Sequence, residues 1–210
     1  MHSDKKRGLL IVFEGTDGTG KSTQLQLLYK DLLNRDYKVI ATREPTEGKY
    51  GLEIRQLYKN RKKYSDEEEL ELFLADRREH VDKLITPALN RGKIVLCDRY
   101  FLSTAAYQGA IGFDPEAILS RNSFAPDPDL VLLFQAPINI GLTRITTGRG
   151  ERPNDFEQAE NLRKAAAIFD SIERPYIRKI DATDSIESVH RLVVEHVTDL
   201  LSKSSFSTLT

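Results

Sequence analysis

The chain has 210 residues, enough for one domain with a sizeable core. Charged residues make up 30% of it, but its formal net charge is only −1, which argues against a nucleic-acid polymer as the main partner. The single cysteine, Cys97, excludes a disulfide framework. The longest apolar runs fall well short of the roughly 20 residues that a membrane span needs. We therefore expect a cytoplasmic protein with no membrane partner.

The first predicted element is a short buried strand, Leu9–Phe13, which leads into a glycine-rich loop and a helix that begins near Lys21. The loop matches the pattern Gly-x-x-x-x-Gly-Lys-Ser/Thr, whose backbone N–H groups surround the phosphates of a nucleotide. Lys21 is expected to reach the β- and γ-phosphates, and the Ser22 hydroxyl is a ligand for Mg²⁺. The alternative is a glycine turn that carries a lysine by chance, and the flanking strand and helix disfavour it. The loop pattern does not say which nucleotide binds; the residues assigned to its phosphates are Gly15, Thr16, Asp17, Gly18, Thr19, Gly20, Lys21, Ser22 and Thr23.

Strands and helices alternate along the rest of the chain. Strands are predicted at Lys38–Thr42, Ile94–Cys97, Leu130–Phe134 and Ile177–Ile180, and helices at Tyr50–Asn60, Asp66–Asn90, Ile138–Thr146, Phe156–Ile172 and Ile186–Leu201. This alternation predicts an α/β fold with a five-stranded parallel sheet and helices on both faces. Ligands of such sheets bind beyond the carboxyl ends of the strands. The polar residues that follow each strand are therefore candidates for the site.

The strand in "KIVLCDRY" ends in a candidate metal ligand. Asp98 would lie beside the phosphate loop and hold Mg²⁺ directly or through water. Arg99 can make a bidentate contact with a phosphate. A solvated Asp–Arg pair is the alternative, and the phosphate loop upstream favours the functional interpretation.

Several arginines lie at or near the expected site, as a phosphoryl transfer between two anionic substrates requires. Arg144, Arg149 and Arg152 fall in the segment "TRITTGRGERPND", which is rich in Gly and Thr. We predict a mobile lid there, at about 144–156, that closes over the phosphates and excludes water. A solvated basic loop is the alternative. The Asn-Lys-x-Asp signature of guanine binding is absent from the sequence, so a kinase is favoured over a GTP-dependent switch.

Together these segments resemble the thymidylate kinases, a branch of the nucleoside monophosphate kinases. The resemblance rests on "FEGTDGTGKST", "TREPT", "LFLADRREH", "LCDRYFLSTAAYQG", "PDLVLLF" and "IDAT", which run in family order from about Val12 to Thr183. It implies a P-loop NTPase fold with a short lid, ATP as phosphoryl donor, Mg²⁺ as cofactor and dTMP as acceptor. It also implies a homodimer and a single kinase domain over residues 1–210, of which 203–210 are expected to fray.

The resemblance also assigns roles on the acceptor side. Asp17 would accept a hydrogen bond from the sugar 3′-hydroxyl, Phe73 would stack on thymine, and Arg77 would bind its carbonyl edge. The other implied acceptor contacts are Arg43 and Arg99 to the phosphate, Thr104 to the base, Tyr107 near the sugar 2′-position, and Gln108 in support of the pocket. Residues Arg144, Asp181, Ala182 and Thr183 would bind ATP. The alternatives are core packing for Phe73 and plain helix-surface positions for Thr104 and Gln108.

The sequence departs from the family pattern in the loop and the lid. The loop stretch 17–19 carries no arginine, so the lid is expected to supply the catalytic cation, with Arg149 and Arg152 acting jointly beside Lys21 and Arg99. Asp155 stands where the lid pattern usually has an arginine, and "REPTEGKYG" replaces the common "REPGGT". Two other functions therefore stay open: a kinase for a different nucleoside monophosphate or a deoxynucleoside, and a non-catalytic ATP-binding regulatory protein.

Overall fold

The structure is a computed structural model that describes residues 7–59, 64–149 and 155–204, with the side chains of 145–149 and 155–158 left aside. Its described strands are β1 (Leu9–Glu14), β2 (Val39–Arg43), β3 (Ile94–Asp98), β4 (Leu130–Gln135) and β5 (Ile177–Asp181). They form one sheet in the order β2-β3-β1-β4-β5, and each neighbouring pair is parallel. The predicted five-stranded parallel sheet is confirmed, and each strand boundary lies within one residue of its prediction.

The described helices are α1 (Lys21–Asn34), α2 (Lys49–Lys59), α3 (Asp66–His80), α4 (Thr86–Asn90), α5 (Phe101–Ala110), α6 (Pro115–Arg121), α7 (Ile138–Arg149), α8 (Asp155–Ser171) and α9 (Ile186–Lys203). The predicted continuous helix over 66–90 is helical throughout, but a π-helical turn at Val81–Ile85 separates α3 from α4. Helix α6 was not predicted. Of the described residues, no helix combines the length and apolar character that a membrane crossing requires.

The two faces of the sheet bury two hydrophobic cores, because successive side chains of a strand point to opposite sides. Leu10 and Val12 face a core built with α3, α5 and α8, and Leu9, Ile11 and Phe13 face one built with α1 and α9. The central strand β1 is therefore buried along its whole length, as expected for a strand covered on both faces. This burial fixes the position from which the phosphate loop departs.

The predicted lid and tail are only partly within the described residues. Residues 144–149 end α7 and Asp155 begins α8, whereas 150–154 lie outside the described part of the chain. Helix α9 ends at Lys203, and residues 205–210 also lie outside it. The single domain with a lid and a frayed tail stays a prediction.

Candidate active site

The phosphate loop joins the buried end of β1 to the start of α1. Gly15, Gly18 and Gly20 have φ angles of 131°, 79° and 89°, a region that suits glycine. A Cβ atom on Gly15 would lie 2.2 Å from the Phe134 carbonyl oxygen, and one on Gly18 would lie 2.2 Å from the Gly141 carbonyl oxygen. The backbone of the loop therefore packs directly against the backbone of β4 and α7. At Gly15 and Gly18 a side chain would clash with these neighbours and would also disfavour the positive φ angle.

Helix α1 begins directly after Gly20, which is in the left-handed conformation and has no side chain to cap the helix. The first N–H groups of a helix have no partner within it and carry its positive partial charge. They lie beside the loop, where an anion can accept their hydrogen bonds.

Lys21 is buried in the loop, and its Nζ donates to the Thr16 carbonyl oxygen at 2.7 Å. The Thr19 hydroxyl donates to the same carbonyl at 2.8 Å. Burial and the charge of Arg99 together lower the pKa of Lys21 to about 7, against the opposing effect of carboxylates such as Asp17. A phosphate group beside Lys21 would reverse this shift, because a negative charge favours the ammonium form.

Ser22 and Asp98 come together at the mouth of the loop, where the Ser22 hydroxyl donates to Asp98 Oδ2. Asp98 ends β3, which pairs with β1. The described residues contain no cluster of three or more His, Cys, Asp or Glu side chains suited to hold a metal by themselves. Two oxygen ligands fit Mg²⁺ nonetheless, since this ion usually takes its remaining ligands from nucleotide phosphates and water.

Arg99 links the phosphate loop to α5. Its guanidinium donates to Asp17 at 2.7 Å, to the Gly15 carbonyl oxygen at 3.3 Å and to the Ser103 hydroxyl at 2.9 Å. The Tyr107 hydroxyl also donates to Asp17, at 3.1 Å. The φ angle of Arg99 is 71°, which is uncommon for a residue with a side chain. The chain thus accepts an unfavourable backbone conformation where this arginine enters the site.

The charges around Asp17 control its protonation. Burial raises the pKa of Asp17, but Arg99 and Lys21, together with hydrogen bonds from Tyr107 and Arg99, outweigh that effect and hold the pKa at about 2. Asp17 is therefore ionised at neutral pH and acts as a hydrogen-bond acceptor.

Glu14 lies beneath the loop and was not predicted as a site residue. Its carboxyl is fully buried and accepts hydrogen bonds from the Tyr100 N–H at 2.8 Å and the Ser103 N–H at 3.1 Å. Burial raises the pKa of Glu14 to about 7, although these hydrogen bonds and the charge of Arg99 act in the opposite direction. Glu14 holds the start of α5 against β1.

Arg77 is 1% exposed and lies in a buried polar network. Its Nε and Nη2 atoms donate to Glu44 Oε2 at 2.9 and 2.6 Å, its Nη1 donates to Asn122 Oδ1 at 2.6 Å, and Nη2 also donates to the Thr104 hydroxyl at 3.0 Å. Four of its five N–H groups thus donate to partners among the described residues. The rotamer of Arg77 is fixed by residues far apart in the chain.

Glu44 extends this network to His80, at the end of α3. Its second carboxyl oxygen lies 3.0 Å from His80 Nδ1, and His80 Nε2 lies 2.7 Å from the Thr42 hydroxyl. Neither Glu44 nor His80 was predicted as a functional residue, nor was Asn122. The strand that ends beside Glu44 was predicted, but no local pattern indicates what Glu44 contacts.

Thr104 and Gln108 are buried between α5 and α3, so the alternative of plain helix-surface positions is wrong. The Gln108 side-chain nitrogen donates to Glu69 Oε1 at 3.3 Å. Phe73, between Glu69 and Arg77 on α3, is half-buried. Within the described residues, Phe73 belongs to neither hydrophobic core cluster, which disfavours the core-packing alternative.

Two cavities lie at the carboxyl ends of the strands. The first, of about 730 Å³, brings together many of the predicted site residues: Asp17, Gly18, Thr19, Gly20, Lys21, Ser22, Thr23, Arg43, Asp98, Arg99, Arg144 and Ala182. The second, of about 620 Å³, is lined by four others: Gly15, Thr16, Asp181 and Thr183. Five predicted residues within the described part of the chain line neither cavity: Phe73, Arg77, Thr104, Tyr107 and Gln108.

The remaining predicted cations differ in their surroundings. Arg43 is exposed and pairs with Glu47, which also pairs with Arg55 at 2.6 Å. Arg55, a cavity-lining residue that the sequence did not single out, also donates to the Thr46 carbonyl oxygen at 2.6 Å. Arg144 donates to the Ala182 carbonyl oxygen at 2.9 Å. Arg43, Arg55 and Arg144 thus all line the first cavity.

The two lid arginines lie beyond the part of the site that can be described. Arg149 is the last residue of α7, but its side chain lies outside the described part, and Arg152 lies outside the described residues altogether.

Comparisons with known proteins agree with this architecture. The family model for thymidylate kinase matches residues 13–193. The chain is 61% identical over 194 residues to a thymidylate kinase of Desulfotalea psychrophila, which covers 92% of this chain and 96% of the relative. It is 44% identical over 202 residues to a thymidylate kinase of Xanthomonas euvesicatoria, which covers 94% of this chain and 88% of the relative. The chain therefore belongs to the thymidylate kinase family.

Proposed function

We propose that this protein transfers the γ-phosphoryl group of ATP to dTMP and so forms dTDP and ADP, a step toward dTTP. The observation that carries the proposal is the phosphate loop with Lys21 and Ser22 beside Asp98 and Arg99, in a chain of the thymidylate kinase family. A loop of this kind selects the phosphates of a nucleotide, and the family relationship identifies the acceptor.

ATP binds with its phosphates in the loop, against the N–H groups at the start of α1. The ribose and adenine lie toward Arg144 and Ala182, which line the same cavity. The Ser22 hydroxyl and the Asp98 carboxylate would hold Mg²⁺, which would supply positive charge against the phosphate oxygens. Lys21 adds a positive charge at the β- and γ-phosphates.

The acceptor binds across the same end of the sheet. Arg43 and Arg99 hold its phosphate, Asp17 accepts from its 3′-hydroxyl and Tyr107 closes the space at the sugar 2′-position. The contact of Asp17 with Arg99 and Tyr107 supports this assignment, because it places the proposed sugar and phosphate contacts side by side. The base lies between α3 and α5, against Phe73.

Transfer needs no nucleophile from the protein, since the acceptor phosphate is already an anion. One of its oxygens attacks the γ-phosphorus in line as the bond between that phosphorus and the β–γ bridging oxygen breaks. Lys21 and Arg99 stabilise the charge that spreads over the transferring oxygens. Arg149 and Arg152 of the proposed lid add to this stabilisation and exclude water when the lid closes.

A homodimer and a cytoplasmic location are further proposals from the family resemblance. Leu70, Leu74 and Val81 are buried in the core of the chain itself, so they are not available to a dimer interface. Size-exclusion chromatography with light scattering measures the mass in solution, and a monomer at micromolar concentration would contradict the dimer.

The proposed function is tested by ADP release from ATP and Mg²⁺ in a coupled assay, with dTMP, dUMP, dCMP, dGMP, AMP and thymidine as acceptors. We expect fast turnover with dTMP, slower turnover with dUMP and very little with dCMP. Preferential turnover with another acceptor would retain the kinase and reject dTMP. ATP binding without turnover on any acceptor would support the regulatory alternative.

A further inference from the structure

Two polar contacts join α3 to α5 on either side of Phe73. Glu69, Phe73 and Arg77 follow each other at intervals of four residues, so they lie on one face of α3. Glu69 contacts Gln108 at 3.3 Å, and Arg77 contacts Thr104 at 3.0 Å. Since Thr104 and Gln108 are also four residues apart, the two helices meet as facing stripes. An aromatic ring between two hydrogen-bonding pairs suits a planar heterocycle with polar edges.

The Gln108 amide is asymmetric in its contacts. Its side chain is 2% exposed and its Nε2 donates to Glu69, but its Oε1 has no hydrogen-bond partner among the described residues. A buried carbonyl oxygen without a partner is unfavourable, because it loses its hydrogen bonds to water and gains none in return. This oxygen is therefore an acceptor that the fold leaves to a ligand.

Glu69 determines which end of the amide stays available. A carboxylate accepts hydrogen bonds but cannot donate them, so Gln108 must turn its NH₂ group toward Glu69 and its oxygen away. With an apolar residue or an amide at position 69, both orientations of Gln108 would be possible. Glu69 thus fixes the orientation of the Gln108 amide, so that its oxygen is the group left to accept a hydrogen bond.

We propose that Glu69 is a positioning residue that sets the choice of base through Gln108. The inference rests on the proposed function. The Gln108 oxygen accepts the ring N–H of thymine or uracil, while the Thr104 hydroxyl, held as an acceptor by Arg77, donates to the neighbouring carbonyl. Cytosine presents the opposite pattern, an unprotonated ring nitrogen next to an amino group. Its ring nitrogen would face the Gln108 oxygen, acceptor against acceptor, and its amino group would face the Thr104 hydroxyl, donor against donor.

The test is Glu69→Gln, which keeps the size of the side chain and lets it donate as well as accept. The values of kcat/KM for dTMP and dCMP are measured, together with the equilibrium binding of both nucleotides by calorimetry. We expect the preference for dTMP over dCMP to fall about tenfold or more, with the KM for ATP unchanged. Glu71→Gln is the matched control, because Glu71 is on the same helix but pairs with Arg121 at the surface, and it should leave the preference unchanged.

A double-mutant cycle with Gln108→Leu separates positioning from a general loss of packing. If Glu69 acts through Gln108, replacing it in the Gln108→Leu background changes the base preference no further. An unchanged preference in a folded Glu69→Gln variant, or additive effects in the cycle, would overturn the inference and leave the proposed function intact. A wild-type protein that neither binds nor phosphorylates dTMP in preference to dCMP would overturn both.

Discussion

The buried position of Lys21 makes ATP binding depend on pH. Burial and Arg99 lower the pKa of Lys21 in the free protein to about 7, and the phosphates of bound ATP raise it again. Below pH 7 the lysine is already charged, and above pH 7 it must take up a proton when ATP binds. The apparent dissociation constant is therefore multiplied by about 1 + 10^(pH − 7), which weakens binding roughly tenfold, or ~1.4 kcal/mol, between pH 6 and pH 8.

Calorimetric titration of ATP and Mg²⁺ without an acceptor measures this effect directly. Repeating it in two buffers with different ionisation enthalpies gives the proton uptake, which we expect to be about 0.5 per ATP at pH 7 and about 0.9 at pH 8. Lys21→Met is the control, since it keeps the length of the side chain and removes the titrating group, whereas the protonation of ATP itself is common to both proteins. A wild-type protein with the same pH dependence and the same proton uptake as Lys21→Met would refute the reasoning.

Three further predictions concern the loop and the residue beneath it. The turnover of Lys21→Met should fall by roughly a hundredfold or more, because the transferring oxygens lose a positioned charge; near-normal kcat in the coupled assay would contradict the mechanism. Gly15→Ala forces a Cβ to within 2.2 Å of a carbonyl oxygen and should abolish ATP binding in calorimetry, whereas Gly112→Ala, with a φ of 116° and open space around the Cβ, should retain it. The pKa of Glu14 is about 7 in the folded protein against 4.5 as its ordinary value. Between these two pH values the folded protein holds a proton that the unfolded chain has lost. The free energy of unfolding therefore falls as the pH rises from 4.5 through 7, by up to ~3 kcal/mol. Glu14→Gln should lose that decline in urea unfolding at pH 5 and pH 8, and an unchanged decline would show that Glu14 is not its source.

Elements with a strong local signal were predictable from the sequence. The strands are short apolar runs with defined ends, and the spacing of the glycines identifies the phosphate loop. Helix α6 was missed although Asp114 caps it and Pro115 occupies its first turn, because seven residues give too little periodicity to distinguish a helix from a turn. The π-helical turn after α3 was missed as well, since apolar spacing alone does not distinguish it from regular helix.

The buried network around Arg77 had no local signal. Glu44 and Asn122 are 33 and 45 residues away from Arg77 in the chain, so their contacts with Arg77 depend on how α3, the end of α6 and the end of β2 pack together. The family resemblance supplied the expected role of Arg77 at the base, but not the groups that hold it. The orphan oxygen of Gln108 likewise becomes visible only when its neighbours are in place.

The end of β2 carries two neighbouring residues that face opposite ways. The side chain of Arg43 is 63% exposed beside the first cavity, whereas that of Glu44 is 4% exposed and forms a salt bridge with Arg77. The Glu44 N–H also donates to the carbonyl oxygen of Asp98, the proposed metal ligand, at 3.0 Å, which connects the two strand ends. In the proposed mechanism, where Arg43 holds the acceptor phosphate and Arg77 orients Thr104 at the base, this dipeptide sets the distance between the base and the phosphate of the acceptor. We therefore expect a nucleotide whose base is displaced from this position to hold its phosphate at the wrong distance from the γ-phosphorus, so that a poor fit at the base lowers the rate of transfer as well as the affinity.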